Sequence, residues 1–288
     1  MGITKAVIPA AGFGTRFLPV TKAQPKEMMP VLDKPTIQYV VEEAVEAGID
    51  DILIITGRGK QAIEQHFDKS YELEEELKAD GKLDRLDRVQ KIADLADIHY
   101  VRQKEREGLG DAVLYARKHV GDEPFALLLG DTIIQNGTPC TESLIDEAEA
   151  HDTSVLSLER VPWEQVSSYG VADTSDVDST SGSFPVNDFV EKPPQEEAPS
   201  NLAITGRYVL TSEIFELLEA TEKGVGSELQ LTDAIRKLDA VRGVELDGDR
   251  YDIGNIPSWL QANIEMALHH DDGEINKAVE KLLREQSL

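Results

Sequence analysis

Between residues 5 and 161, short apolar runs alternate with stretches of helical period, and that alternation most limits how the chain can fold. KAVIPAAG, DDILIITG, DIHYVRQ, EPFALLLGDTII and TSVLSLERV read as buried strands. PTIQYVVEEAVEAGI, KQAIEQHF, LGDAVLYARKHV and SLIDEAEAHD read as the helices between them. In the first helix Ile37, Val40, Val41, Ala44 and Val45 share a face, and Gly48 is placed to cap its C-terminus. Repeated strand and helix units bury both faces of a sheet. The expected fold is therefore α/β, a Rossmann-like, mostly parallel sheet with helices on both faces.

From Tyr169 the pattern changes. YGVAD and FPVNDFVEKP read as antiparallel strands around the polar run 173–183, which suits substrate-binding elements inserted on the main frame. NLAITGRYVL and VRGVELDGDRYDIGN supply further strands, and SEIFELLEA and ELQLTDAIRKLDA further helices. Residues 68–96 read as a helical insertion and 257–288 as C-terminal helices. With no internal repeat and no clear linker, residues 1–288 are expected to form a single domain.

Residues 9–35 do not fit the alternation. Pro9, Pro19, Pro25, Pro30 and Pro35 hold off helix there, and an irregular segment of this length in a compact α/β domain is uncommon unless it binds something. The segment AAGFGTRFLPVTKAQPKEMMP carries two glycines and a cluster of cations. A dinucleotide fingerprint would need glycine where Phe17 stands, a Walker loop would need Gly-Lys-Ser/Thr, and a plain turn is the third reading. Charge favours an anion site. The chain's net charge is −26, yet residues 1–34 carry Lys5, Arg16, Lys22, Lys26 and Lys34 against Glu27 and Asp33, a sum of 5 − 2 = +3.

The acidic balance argues against nucleic acid or an anionic membrane as partner, because phosphate backbones select clustered Lys and Arg. The acids are dispersed, as in EEAVEAGIDD and ELEEELKAD, which suits a surface adapted to high salt. Cys140 is the sole cysteine, so no internal disulfide forms and a reducing, cytoplasmic setting is expected. MGITKAVIPAAG has no signal-peptide apolar run, Ala6 lacks the hydroxyl of a myristoylation signal, and no stretch reaches membrane-spanning length.

Taken with its neighbours, AAGFGTRFLPVTKAQPKEMMPVLDKPTIQY closely resembles the nucleotide signature of sugar-1-phosphate nucleotidyltransferases. Lys-Glu-Met at 26–28 is similar to the bacterial UTP:glucose-1-phosphate uridylyltransferase branch. VRQKEREGLGDAV, LLLGD, YGVAD, FVEKP, SNLAITGRYVL, ELQLTDAI and YDIGN follow in the family's order, over roughly residues 3–265. The resemblance implies that a sugar-phosphate oxygen attacks the α-phosphorus of a nucleoside triphosphate and releases pyrophosphate. A phosphate monoester with a second pKa of about 6 is already ionised at neutral pH, so no protein nucleophile is required. Catalysis then rests on positioning and charge neutralisation.

Carried over residue by residue, the resemblance implies that Arg16, Lys26 and Lys192 are catalytic, the first two facing the triphosphate and Lys192 the sugar phosphate. Ala11, Gly12 and Gly14 would lie against base and phosphates, Gln103 and Gly108 would read the base, and Glu27 would sit near base or ribose. Gly170, Glu191 and Gly206 would form the sugar site. Asp131 and Asp252 would hold Mg²⁺, since two hard oxygen ligands plus substrate phosphates suit that ion. Lys26 reads as an exposed loop lysine of little weight in folding. The histidines show no ligand spacing, and Trp163 and Trp259 read as packing residues.

Three positions depart from the family pattern: Gly130 for proline, Ile253 for a small or polar residue, and Asp111 after Gly-Leu-Gly. They bear on selectivity rather than chemistry. The implied reaction uses UTP and glucose 1-phosphate, in a homodimer or homotetramer. A thymidylyl relative using dTTP, a non-catalytic nucleotide-sugar sensor and a dehydrogenase are the alternatives. No hexapeptide repeat follows the last helix, so an attached acetyltransferase domain is not expected.

Overall fold

The computed structural model describes residues 2–174, 182–270 and 273–286. Part of the polar run 173–183, residues 175–181, lies outside the described residues. A large mixed sheet orders its strands Ser183–Pro185, Val241–Glu245, Ser154–Arg160, Leu202–Leu210, Phe125–Leu128, Lys5–Pro9, Asp51–Thr56 and Asp97–Arg102. Only Leu202–Leu210 and Ser183–Pro185 run against the others, so the expected mostly parallel α/β sheet is what forms. Gly170–Asp173 and Asp188–Glu191 pair antiparallel beside it, matching the antiparallel strands expected there.

Successive side chains on a strand point to opposite faces, and the two main core clusters divide accordingly. Val7, Leu53, Ile55 and Leu127 pack on one face with Val113, Phe215 and Leu218. Ala6, Ile8, Ile52, Ile54 and Leu128 pack on the other with Val40, Val41, Ala44 and Leu144. The helix Thr36–Glu46 ends as predicted: Gly48 adopts φ 84°, and Ile49 N–H donates to Ala44 O at 3.1 Å, closing a Schellman cap. Residues 68–96 hold the helices Tyr71–Ala79 and Leu83–Ala93, and the C-terminal stretch holds Ile256–Leu268 and Gly273–Gln286.

Two readings of element length need correction. LGDAVLYARKHV is two short helices, Leu109–Leu114 and Arg117–Val120. EPFALLLGDTII is not one strand. It breaks at Gly130–Asp131, and Thr132–Gln135 leaves the main sheet to pair antiparallel with Asp249–Asp252. Apolar composition continues across the break and so hides it. The break matters because Ile253 N–H donates to Asp131 O at 2.8 Å, tying the two aspartate-bearing turns together.

A third cluster, Phe17, Met29, Val31, Ile133, Tyr251, Ile253 and Ala262, anchors the glycine-rich segment to this small ribbon and to Ile256–Leu268. Phe17, where a dinucleotide fingerprint would have glycine, is buried; such a ring contributes about 1.5–3 kcal/mol. Trp259 packs there and donates Nε1–H to Pro30 O at 2.7 Å. Trp163, read as a packing residue, is instead exposed.

Candidate active site

The strands Lys5–Pro9, Asp51–Thr56, Asp97–Arg102 and Phe125–Leu128 are mutually parallel, so their carboxyl ends open at one edge of the sheet, the usual place for a ligand crevice in an open α/β sheet. The glycine-rich segment, Gly57, Gln103 and Asp131 all follow those ends. A cleft of about 460 Å³ opens there. Of the candidate site residues, Gly14, Arg16, Lys26, Asp131, Lys192, Gly206 and Asp252 line it. Ala11, Gly12, Glu27, Gln103, Gly108, Gly170 and Glu191 stand outside that lining.

Gly14 shows why the loop needs glycine. Its φ is 63°, and a Cβ there would come within 2.9 Å of Lys26 Cβ. Thr21 Oγ1 donates to Gly14 O at 2.7 Å and closes the loop on itself. Gly12 lies over the Lys26 side chain, and Ala11 O accepts from Arg106 Nε at 2.7 Å. Arg106 also lies 3.7 Å from the centre of the Phe13 ring. Arg106 thereby clamps the loop. Arg106 lies in the stretch VRQKEREGLGDAV but is not among the candidate site residues.

Lys26 is not an exposed loop lysine. Its ammonium is ion-paired with the Asp131 carboxylate, and both side chains are about four-fifths covered, at 22% and 20% exposure. Burial lowers the lysine pKa, but Asp131, Glu27 and Asp252 outweigh it and hold Lys26 above the ordinary range. Burial raises Asp131, and Lys26 more than reverses that, so its carboxyl lies below the usual value. Asp252 moves the other way, pushed up by burial and by the Asp131 charge. Two carboxylates held side by side with too little positive charge suit a hard divalent cation, and the residues fit Mg²⁺ on that ground.

Glu27 lies inside the protein. It is 1% exposed, takes Lys60 Nζ at 2.6 Å, and leaves its Oε1 without a partner; burial pushes its carboxyl up. Gln103 is buried after its strand, with Nε2 donating to Asp111 Oδ2 at 2.6 Å. Gly108 has φ 115°, and a Cβ would strike Leu229 O at 2.7 Å. Glu191 is engaged by Thr232 Oγ1 at 2.6 Å and Lys192 Nζ at 3.1 Å, opposite Gly170. Lys192 itself has φ 47°, unusual for a side-chain-bearing residue, and reaches the cleft. Gly206 sits at a register shift in its strand, with Leu129 against its Cα.

Arg207 is fully buried. Its Nε bonds Glu43 at 3.0 Å, and its Nη2 bonds Glu43 at 2.7 Å and Thr132 O at 2.8 Å, so it braces the turn that carries Asp131. The signal for it was present: an arginine in the middle of the otherwise buried strand LAITGRYVL must have partners. Arg250 lines the cleft beside Tyr169, its guanidinium 5.1 Å from the ring centre. The histidines, which show no ligand spacing in the sequence, do meet in space. His99 and His119 both face Asp51, a meeting across three elements that no sequence spacing reveals.

A cation-flanked glycine loop facing paired carboxylates at the carboxyl ends of parallel strands defines an α/β protein that handles phosphate groups. The chain belongs to the nucleotidyl transferase family, whose model matches residues 5–268. It is 53% identical over 269 residues to a UTP–glucose-1-phosphate uridylyltransferase of Bacillus subtilis (strain 168), covering 92% of this chain and 91% of that protein. Its identity to the protein of that name in Staphylococcus epidermidis (strain ATCC 12228 / FDA PCI 1200) is 50%, covering 98% of each. Among solved structures, the UTP-bound UGPase from Acinetobacter baumannii superposes with TM-score 0.90 at 38% identity, covering 99% of this chain and 100% of that one. A UDP-glucose pyrophosphorylase complexed with UDP-glucose gives TM-score 0.82 at 40% identity, covering 93% and 100%.

Proposed function

We propose that this protein transfers a uridylyl group from UTP to glucose 1-phosphate, giving UDP-glucose and pyrophosphate. The observation that carries the reading is the convergence of Arg16, Lys26 and Lys192 with Asp131 and Asp252 on one cleft. The uridylyltransferase relatives, each matched over nearly its whole length, supply the substrate pair. The rival dTTP reading is favoured by no feature of the cleft; a glucose-1-phosphate thymidylyltransferase structure shares the fold at only 23% identity.

In the reaction a phosphate oxygen of glucose 1-phosphate forms a bond to the α-phosphorus while the bond from that phosphorus to the bridging oxygen breaks, and pyrophosphate leaves with the electron pair. Arg16, exposed at the mouth, and Lys26 meet the triphosphate; Lys192 holds the incoming phosphate in line. With its ammonium already desolvated and fixed, Lys26 needs little reorganisation as charge builds on the departing oxygens. Asp131 and Asp252 would hold Mg²⁺, which supplies charge neutralisation of the phosphates. Gln103 and Gly108 would read the base, Ala11, Gly12 and Gly14 would pack against the nucleotide, and Glu27 would support that site from beneath. Gly170, Glu191 and Gly206 would border the sugar.

The same reading takes the chain as a single domain acting in the cytoplasm, as a homodimer or homotetramer, with a surface suited to high salt. No helix among the described residues is long and apolar enough to cross a membrane. The deciding experiment measures pyrophosphate release over a matrix of nucleoside triphosphates and hexose 1-phosphates. The highest kcat/KM is expected for UTP with glucose 1-phosphate; a clear preference for dTTP or ATP overturns the reading.

A further inference from the structure

At the opposite end of the sheet from the cleft, Asp51 opens its strand, and His99 stands on the neighbouring strand, whose register pairs His99 with Leu53. Residues two apart on a strand share a face, so Asp51 and His99 lie on the same side of adjacent strands. His119, from Arg117–Val120, comes down on the same spot. Its Nε2 is 2.7 Å from Asp51 Oδ1, and His99 Nε2 is 3.8 Å from that same oxygen. The two imidazole rings are 4.9 Å apart, and one ligand atom from each of the three residues lies within 4.8 Å of the others.

We propose that Asp51, His99 and His119 form a surface site for one divalent transition-metal ion of the zinc class, separate from the catalytic cleft. Around a tetrahedral ion with bonds of about 2.0–2.1 Å, ligand atoms stand roughly 3.3 Å apart, and the two observed separations bracket that value. Small side-chain rotations bring all three into range. Two imidazoles and one carboxylate suit Zn²⁺ or Co²⁺ rather than Mg²⁺, which takes oxygen ligands. The surroundings favour a cation: Asp50 precedes Asp51, and Asp97 is its partner across the strands. The nearby ammonium of Lys5 is turned away, paired with Glu123 at 2.8 Å and donating to the carbonyls of His119 and Val120.

On metal binding the proton that His119 Nε2 shares with Asp51 gives way to the ion and is carried on Nδ1. With three protein ligands, a fourth position stays open to water. The site joins the edge strand Asp97–Arg102, its neighbour and the helix after Leu109–Leu114. Occupancy therefore clips the edge of the sheet, and a ligand that binds only the folded chain stabilises it by mass action.

The test uses the full chain, stripped with chelator and returned to excess Mg²⁺ so that the Asp131 and Asp252 pair is occupied. Zn²⁺ is then titrated calorimetrically, with Co²⁺ absorption as a coordination probe and thermal melting alongside. The parent is expected to bind roughly one Zn²⁺ per chain, to melt at higher temperature with it, and to give the intense visible bands of four-coordinate Co²⁺. His99→Ala, at an exposed position, should weaken that Zn²⁺ binding by about tenfold or more. It should abolish the melting shift and leave Mg²⁺-dependent pyrophosphate release unchanged. His119→Gln should behave alike, whereas Asp131→Asn should keep the Zn²⁺ response. Absence of binding by the parent, or equal Zn²⁺ affinity and melting shift in His99→Ala and His119→Gln, overturns the site.

Discussion

The side-chain amide of Gln103 is held by Asp111: Nε2 donates to Asp111 Oδ2 at 2.6 Å, and more weakly to Gly108 O at 3.5 Å. A carboxylate only accepts, so the amide nitrogen must face Asp111 and the amide oxygen is left for a ligand. A free acceptor suits the N3–H of uracil and does not suit cytosine, which presents an acceptor at that position. Asp111 thus sets which end of the Gln103 amide a base would meet in the proposed nucleotide site.

Asp111→Asn, which can also donate, is expected to let the amide turn over. The ratio of kcat/KM for UTP to that for CTP should fall by about tenfold, the scale of one discriminating hydrogen bond. The UTP/dTTP ratio should hold, because both bases carry the same N3–H. An unchanged UTP/CTP ratio would sink this assignment.

Asp252 is raised by burial and by the Asp131 charge. A carboxylate with a raised folded pKa binds its proton more tightly when folded, so stability falls as pH rises from the ordinary value of 3.8 through the folded one. Without divalent metal, ionising Asp252 in the folded protein therefore costs stability. Asp252→Asn should raise the metal-free melting temperature by about 2–4 °C near pH 7 while lowering activity. The gain should shrink as pH is lowered through the raised pKa. A melting temperature below the parent's at neutral pH would show that the carboxylate is stabilising there.

The alternation of strands and helices was legible because apolar periodicity is local, and so were the carboxyl-end loops that gather the cleft. What the sequence hid depends on three-dimensional meeting. The apolar run through Leu128 and Ile133 conceals the break at Gly130–Asp131 that lets Asp252 approach. Lys26 looks exposed in a proline-rich loop until Phe17 and Met29 pull that loop onto the ribbon and bring the ammonium to Asp131. His99, His119 and Asp51 belong to three separate elements. Arg207 alone advertised itself, by charge in a strand otherwise buried throughout.

Salt should matter. The net charge is −26, and the surface carries clusters such as Glu72, Glu75 and Glu76 on the helix Tyr71–Ala79, where only Lys78 pairs, at 3.7 Å from Glu75. Exposed pairs of this kind each contribute about 0–1 kcal/mol, too little to offset dispersed repulsion. At molar ionic strength the screening length falls to about 3 Å and the repulsion fades. The melting temperature and activity are expected to be low in dilute buffer and to recover in molar KCl; a flat profile would contradict a salt-adapted surface.

Lys26 joins catalysis to stability, because its ammonium serves two partners: Asp131 in the structure and, in the proposed reaction, the triphosphate. Lys26→Ala removes a desolvated cation from where charge builds in the transition state, and loss of one such preorganised group costs on the order of 10²–10³ in kcat. It also leaves Asp131 beside Asp252 without the ammonium that is ion-paired with it. A half-satisfied ion pair that is mostly covered costs about 1–3 kcal/mol, so the metal-free variant should melt below the parent. Mg²⁺ should restore most of that loss, since it neutralises the same carboxylates, but should leave the rate defect. Steady-state kinetics and melting curves with and without Mg²⁺ separate the two effects. A variant changed in KM alone, with parental kcat, would make Lys26 a uniform binding residue, and a melting temperature equal to the parent's without metal would remove its structural role.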